Sequence, residues 1–377
     1  MGIRAEINTA QQPLLNCSLL THLMLQSTRT AEFLIQLYRG ALLGIKHSRD
    51  RPTCPSPRRF SQKIGLMGAA LSNCTRVPNF ILSGITDRTE PKFPLFTVFL
   101  AVYIITMAGN LGIICLNTID ARLHTPMYFF LSNLAFVDTS YSSAITPKIL
   151  ADLLAGRKSI GYSGCVTQLF LCCICGTSEC LLLALMAYDR YEAICNPLHY
   201  STIMSGKVCV CLVTGCYIMG IFCSVVLTVC VFTSSFCGPN VINHFYCDIP
   251  PLLQISCSRS HISEIVIFAQ VGILCISTTM IVLISYICIL STILKICSSE
   301  RRQKAFSTCS SHMMAVCLFY RTVFYMYLQP SSSHSLGQDK IASLFYSVMI
   351  PMLNPLIYSF RNKEVKDAFW RVLRKTV

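Results

Sequence analysis

The sequence predicts an all-α membrane protein: a seven-transmembrane helix bundle with a short amphipathic C-terminal helix. Three observations carry this reading. The 377 residues are 53% hydrophobic and only 13% charged, against about 25% charged in a soluble domain. Seven apolar blocks follow one another, each long enough to cross about 30 Å of hydrocarbon. The net charge is +14, and its Lys and Arg residues gather between and after those blocks, as membrane topology and anionic headgroups favour.

Residues 1–66 precede the blocks and hold nine Lys or Arg against three acidic residues. They lack a signal-peptide layout, and the semi-apolar run Ala31–Ile45 is broken by Arg39 and too short to span. They are expected to be a disordered or rarely translated extension, with Met67 as the working start. Residues 67–92 then form an extracellular segment whose Asn73-Cys74-Thr75 is a glycosylation sequon. Asn16-Cys17-Ser18 is a second, weaker one.

The receptor-like body is expected over 93–361, with spans near Phe93–Ile119, Pro126–Leu150, Gly164–Tyr191, Lys207–Phe232, Ile262–Leu294, Phe306–Leu328 and Ile341–Phe360. The first, fourth and fifth are the most apolar. The second, third and seventh carry Asp138, Glu179 and Asn354, and ionisable groups at membrane depth face the bundle interior and mark function. The link before the sixth span holds Lys295, Arg301, Arg302 and Lys304, and the tail holds Arg361, Lys363, Lys366, Arg371, Arg374 and Lys375. Cytosolic loops are the basic ones, so the C-terminus is expected in the cytosol and the N-terminus outside, at the plasma membrane. Over 362–377, Phe360, Val365, Ala368, Phe369 and Val372 recur at helical spacing among basic residues, which describes a cytosolic amphipathic helix and tail on membrane lipid.

Composition also excludes function classes. A basic chain without a basic-aromatic module is not a nucleic-acid binder. Most of the 23 cysteines, such as Cys172, Cys173, Cys175 and Cys180, lie inside apolar runs, where a thiol acts as a small apolar residue. No ligand spacing suggests a transition-metal site. No nucleophile, base and orienting group fall at a recognisable spacing, so an enzyme is not expected. Neither inverted repeats nor rings of charge suggest a transporter or channel.

Two motifs carry the mechanism. The third span ends in Met186-Ala187-Tyr188-Asp189-Arg190-Tyr191, continuing to Pro197-Leu198-His199-Tyr200. Arg190 can pair with Asp189 in a closed bundle and turn to an inserted partner in an open one; an ordinary interfacial Arg that reaches for lipid phosphate is the plainer alternative. The seventh span holds Pro351-Met352-Leu353-Asn354-Pro355-Leu356-Ile357-Tyr358. A proline inside a helix frees a carbonyl and kinks it, and Asn354 can satisfy the freed group; this is a hinge or simply a kink.

These motifs stand in order with Gly109-Asn110, with Leu123-His124-Thr125-Pro126-Met127-Tyr128-Phe129-Phe130-Leu131-Ser132-Asn133-Leu134, with Ser285-Tyr286, and with Lys304-Ala305-Phe306-Ser307-Thr308-Cys309-Ser310-Ser311-His312. From about Leu71 to Val377 the chain resembles a vertebrate odorant receptor of the rhodopsin-like G-protein-coupled class; residues 1–66 have no counterpart. The resemblance implies a small volatile odorant as ligand, a stimulatory olfactory-type heterotrimeric G protein as partner, and cyclic AMP as the output. It implies roles in activation for Asp189, Arg190, Tyr191, Tyr286, Asn354, Pro355 and Tyr358. It implies disulfides Cys165–Cys247 and Cys237–Cys257, although four cysteines by themselves allow three connectivities.

Resemblance and helical phase together place the odorant pocket at Cys172, Cys173, Gly176, Thr177, Tyr320, Val323, Phe324 and Tyr327. For any one of these, packing core remains the alternative. Asp138 and Glu179 in neighbouring spans would repel each other. The resemblance suggests a sodium ion there, with Asn110 and Asn354 beside it, since hard cations take oxygen ligands; a protonated acid pair is the alternative. No other cofactor is expected.

Two positions depart from the family. Glu192 stands where a small apolar residue is usual and can compete for Arg190. Phe319-Tyr320-Arg321 stands where the family usually has Phe-Tyr-Gly, which puts Arg321 near a helix centre at a cost of about 2.5–3.5 kcal/mol. It would either face an acidic odorant or damage the receptor, and a non-signalling relic therefore remains an alternative.

Overall fold

The computed structural model describes residues 79–85, 92–156, 158–236, 240–256, 261–328, 336–361 and 363–376. Residues 1–66, Asn73, Cys237 and Cys257 lie outside these. The long helices are α1 (Lys92–Ile119), α2 (Pro126–Ala155), α3 (Tyr162–Cys195), α4 (Gly206–Phe232), α5 (His261–Leu294) and α6 (Ser299–Leu328). The seventh, α7, is continuous through Leu336–Leu344, a π-helical turn Phe345–Met349, and Ile350–Arg361; α8 is Lys363–Thr376.

The exposure pattern explains the bundle. α3 buries 19 of its 34 residues, whereas α1 buries only Phe99, Thr106, Asn110 and Ile113 of its 28. α3 is therefore the central post. α1 turns Val98, Ile104, Ile105 and Leu111 outward, which water would not tolerate on that scale and lipid does. Five helices (α1, α3, α4, α5 and α7) are long and apolar enough by composition to cross a membrane. α2 and α6 are the more polar pair, since α6 begins Ser-Glu-Arg-Arg-Gln-Lys.

Helices outrun the apolar blocks. α2 ends at Ala155 rather than Leu150, where Gly156 adopts a left-handed φ of 64° and its N–H bonds to the Asp152 carbonyl. α6 starts at Ser299 rather than Phe306. Apolarity ends at the hydrocarbon boundary, but the backbone hydrogen-bond ladder needs no apolar side chains to continue.

One end carries a feature that hydropathy does not announce: a three-stranded sheet of order β2-β1-β3. β1 (Asn79–Leu82) pairs antiparallel with β2 (Ser159–Gly161) and parallel with β3 (Val241–Ile242). β1 alternates exposed and buried residues, sinking Phe80 and Leu82, as a strand with one covered face must. Cys165 at the start of α3 is bonded to Cys247, with Cα atoms 5.5 Å apart and 82 residues of separation. The short helix Ile249–Gln254 follows, capped by Asp248, whose carboxylate accepts the Ile249 N–H. Phe236 and Ser256 form an antiparallel bridge across the same lid.

The opposite end is held by α8. Arg371 donates two hydrogen bonds to Asp120 Oδ2, at 2.9 and 2.6 Å, and these hold the Asp120 carboxyl below the usual carboxylate range. Tyr128 donates to Glu364 at 2.7 Å. Val365 and Ala368 pack inward while Phe369 and Trp370 stay exposed, the two-faced arrangement of an interfacial helix.

Candidate functional site

Beneath the lid lies a cavity of about 70 Å³. α3 supplies Leu169, Cys172, Cys173, Gly176, Thr177 and Cys180, successive positions on one helical face. Phe319 and Val323 of α6 and Leu274 and Cys275 of α5 close the far side, and Asp248 and Ile249 of the lid form the roof. Of the residues picked out in the sequence, Cys172, Cys173, Gly176, Thr177 and Val323 line this cavity. Tyr320 lies just below it, its hydroxyl 3.5 Å from Cys180 Sγ, and Phe324 packs on Tyr320 with centroids 5.9 Å apart. The side chain of Tyr327 lies outside the described residues.

Sequence periodicity missed Tyr141, Asp248 and Tyr346. The π-helical turn in α7 rotates Tyr346 so that its hydroxyl fills the space a Cβ would take at Gly176, 2.4 Å from an ideal Cβ. No pattern of residue types announces that turn. Gln168, also missed, ties the layers together: its Nε2 donates to the Ala144 carbonyl and its Oε1 accepts the Cys247 N–H.

Among the described residues, no Lys, Arg or His lines the cavity. Asp248 is the one acid among them, and both its oxygens are engaged, Oδ1 by the Ile249 N–H and Oδ2 by the Tyr246 hydroxyl, each at 2.8 Å. The expectation that Arg321 could face an acidic odorant is overturned. Arg321 is exposed on the outer side of α6, because it continues the outward stripe of Met314 and Cys317 at helical spacing.

Below the cavity, Asn354 Nδ2 donates to Asp138 Oδ2 at 2.9 Å. Asp138 Oδ1 and both carboxylate oxygens of Glu179 are buried with no hydrogen-bond partner among the described residues. Three orphaned oxygens with an amide beside them fit a hard cation. Asn110 Nδ2 donates to the Thr106 and Pro351 carbonyls, both at 2.9 Å, pinning α1 to the proline segment of α7. Gly109 permits that approach, since a Cβ there would sit 3.0 Å from Pro355.

At the far end of α3, Asp189 Oδ1 accepts from the Tyr200 hydroxyl at 2.8 Å. Burial and that neighbouring carboxylate push the Tyr200 phenol up. Arg190 Nε is 3.9 Å from Asp189 Oδ2 and has no hydrogen-bond partner among the described residues. The pair is loose. Glu192 does not replace Asp189 as the partner: it is fully buried, and its Oε2 accepts from Asn196 at 3.0 Å. Tyr191 is buried and stacks on Tyr188. Tyr286 meets His312 Nδ1 at 2.6 Å, and His312 Nε2 reaches the Leu183 carbonyl at 3.1 Å. Since the carbonyl can only accept, Nε2 carries the proton and Nδ1 accepts from the phenol. The Tyr358 hydroxyl is buried and unpartnered among the described residues. α3, α5, α6 and α7 thus converge through Arg190, Tyr286, His312 and Tyr358. His312, though within the quoted sixth-span motif, was given no role by sequence.

Comparison with known proteins agrees with this layout. The family model described as "Olfactory receptor" matches residues 99–376. Olfactory receptor 8U3 of Mus musculus is 55% identical over 303 residues, 80% of this chain and 95% of that protein. Olfactory receptor 8U9 of Homo sapiens is 54% identical over 301 residues, 80% of this chain and 97% of that protein. Among solved structures, the crystal structure of squid rhodopsin superposes with a TM-score of 0.56 at 17% identity, covering 77% of this chain and 88% of that one, and so shares the fold.

Proposed function

The chain belongs to the olfactory receptor family of multi-pass plasma-membrane signalling receptors, which are not enzymes, and on that premise we propose that it takes a small, neutral, volatile odorant in the cavity under the lid. The carrying observation is the lining: aliphatic side chains, thiols, aromatic rings and a few hydroxyls, with no cationic side chain and one engaged acid among the described residues. A carboxylate odorant would lose its hydration there and meet no counter-charge. An apolar cavity of roughly 150 Å³ accommodates benzene, so at about 70 Å³ this one must widen around a benzene-sized guest. Binding then favours whichever state has the wider cavity, and only that difference in affinity moves the equilibrium.

In this reading the sheet end is extracellular. A disulfide persists in an oxidising compartment, and the basic residues of the α5–α6 link and of α8 gather at the other end. The loose Asp189–Arg190 contact opens, and Arg190, Tyr286, His312 and Tyr358 rearrange to admit a stimulatory olfactory-type G protein, raising cyclic AMP. Asp138, Glu179 and Asn354 would hold a sodium ion in the resting state; the ion would supply the positive charge that two buried carboxylates need. Asn110 acts as a positioning residue through α7.

The test is cyclic AMP in cells displaying the full chain, challenged with matched sets of volatile alcohols, aldehydes and ketones and their carboxylic-acid counterparts. Responses confined to neutral compounds are expected. A surface-expressed receptor that answers only carboxylates would overturn the assignment.

A further inference from the structure

Arg321 has no role in the cavity or in the coupling network, yet it places a guanidinium on a membrane helix. It belongs to the outward stripe of α6 that runs through Met314 and Cys317, both exposed, and no ion pair or hydrogen bond involving it is found among the described residues. Lipid-facing charges at this depth are rare because hydrocarbon offers them nothing to bind. No described acid of the chain supplies its counter-charge, which leaves the surrounding membrane as the source.

Depth decides which leaflet. Arg321 precedes the helix end at Leu328 by seven residues, about 10 Å along the axis. An extended Arg covers roughly 6 Å and snorkels toward the nearer interface. The other end, Ser299, is 22 residues away, about 33 Å, and out of reach. One turn above Arg321 on the same side, Tyr325 presents its hydroxyl to Gln338 Oε1 at 3.3 Å. An aromatic with a polar tip is characteristic of the headgroup boundary. A second copy of the chain offers no free match: acids at the sheet end of the described spans, such as Glu264 and Asp339, are half-buried and already engaged within their own chain.

We propose that Arg321, with Tyr325 above it, forms a binding site for the phosphate of a phospholipid in the leaflet at the sheet end of α6. The guanidinium offers a planar pair of donors suited to phosphate oxygens. The occupant is a glycerophospholipid headgroup, and the site tethers α6 to that leaflet. This rests on the chain being membrane-embedded, not on the identity of its odorant.

The experiment is native mass spectrometry of the full chain released from nanodiscs of phosphatidylcholine and phosphatidylglycerol. It compares the parent with Arg321→Gln and Arg321→Lys, and repeats the comparison with a phosphate-free galactolipid in place of the phospholipids. The parent is expected to retain one more phospholipid than Arg321→Gln at matched activation energy, Arg321→Lys to retain it partly, and none of the three to retain galactolipid there. Arg321→Lys also serves as the folded control, since it keeps the charge at the same place. Equal phospholipid retention by parent and Arg321→Gln would overturn the site. So would equal retention of galactolipid in the parent, or a dimer in the parent that Arg321→Gln abolishes, which would identify a second chain as the partner.

Discussion

Replacing Gly176 by Ala tests the cavity wall most sharply. The added Cβ would lie 2.4 Å from Tyr346 Oη, about 1 Å inside van der Waals contact. Tyr346 cannot swing away freely: it is buried, with its ring edge-on to Tyr141 at 5.4 Å and tilted to Phe319 at 5.9 Å. Overpacking of this kind costs about 1–3 kcal/mol. The clash is with a single atom, since the next, Tyr346 Cζ, would be at 3.7 Å, an ordinary contact. Tyr346→Phe alone removes only the clashing oxygen and keeps the ring contacts with Tyr141 and Phe319, so it should cost no more than about 1 kcal/mol. In the double variant the phenylalanine should absorb the alanine, leaving a favourable coupling of about 1–2 kcal/mol. Thermal unfolding of the purified receptor in nanodiscs reads this directly, and the odorant dose-response should shift in parallel. The reasoning is refuted if Gly176→Ala unfolds with the parent, or if Tyr346→Phe fails to rescue it.

Other consequences follow from the lid and the acid pair. Burial, reinforced by Lys340, pushes His244 down to about 3, while in the unfolded chain it titrates near 6.5. The folded state holds it neutral, so stability is unaffected above about pH 6.5 and is lost below it, by about 1.4 kcal/mol per pH unit down toward 3. His244→Phe should flatten the thermal-stability profile between pH 6.5 and 5; an unchanged slope would show that another group titrates. Sodium, but not N-methylglucamine, should raise the unfolding temperature of the parent, by an amount equivalent to about 2.7 kcal/mol at a hundred times the dissociation constant. Asp138→Asn and Glu179→Gln should each abolish that increment, and a sodium effect surviving both substitutions would exclude the acid pair as its origin.

Much of this architecture is legible in the sequence, because hydrocarbon imposes a simple rule on composition. A span must be apolar for about twenty residues, so seven blocks could be counted, and α8 showed itself through the spacing of Val365, Ala368 and Phe369. The rule is silent beyond the hydrocarbon, which is why α6 starts at Ser299 and why β1, only four residues long, was not anticipated. In the cavity, helical phase on α3 placed Cys172, Cys173, Gly176 and Thr177 together. It could not find Tyr346, whose position depends on a π-helical turn, or Asp248, which arrives on a loop. Arg321 shows the converse: residue type made it a candidate counter-charge, and helical phase, traced through Met314 and Cys317, turns it outward.

The central claim is that a ligand in the cavity under the lid is coupled to Arg190 at the other end of α3. The most direct test is cyclic AMP in cells displaying equal surface amounts of the parent, Arg190→Ala and Thr177→Trp, the last filling the cavity, across one neutral odorant panel. The account predicts a response in the parent, none in Arg190→Ala, and a response in Thr177→Trp that is lost or shifted at least tenfold in dose. An undiminished response in Arg190→Ala, or an unchanged dose-response in Thr177→Trp, would contradict it.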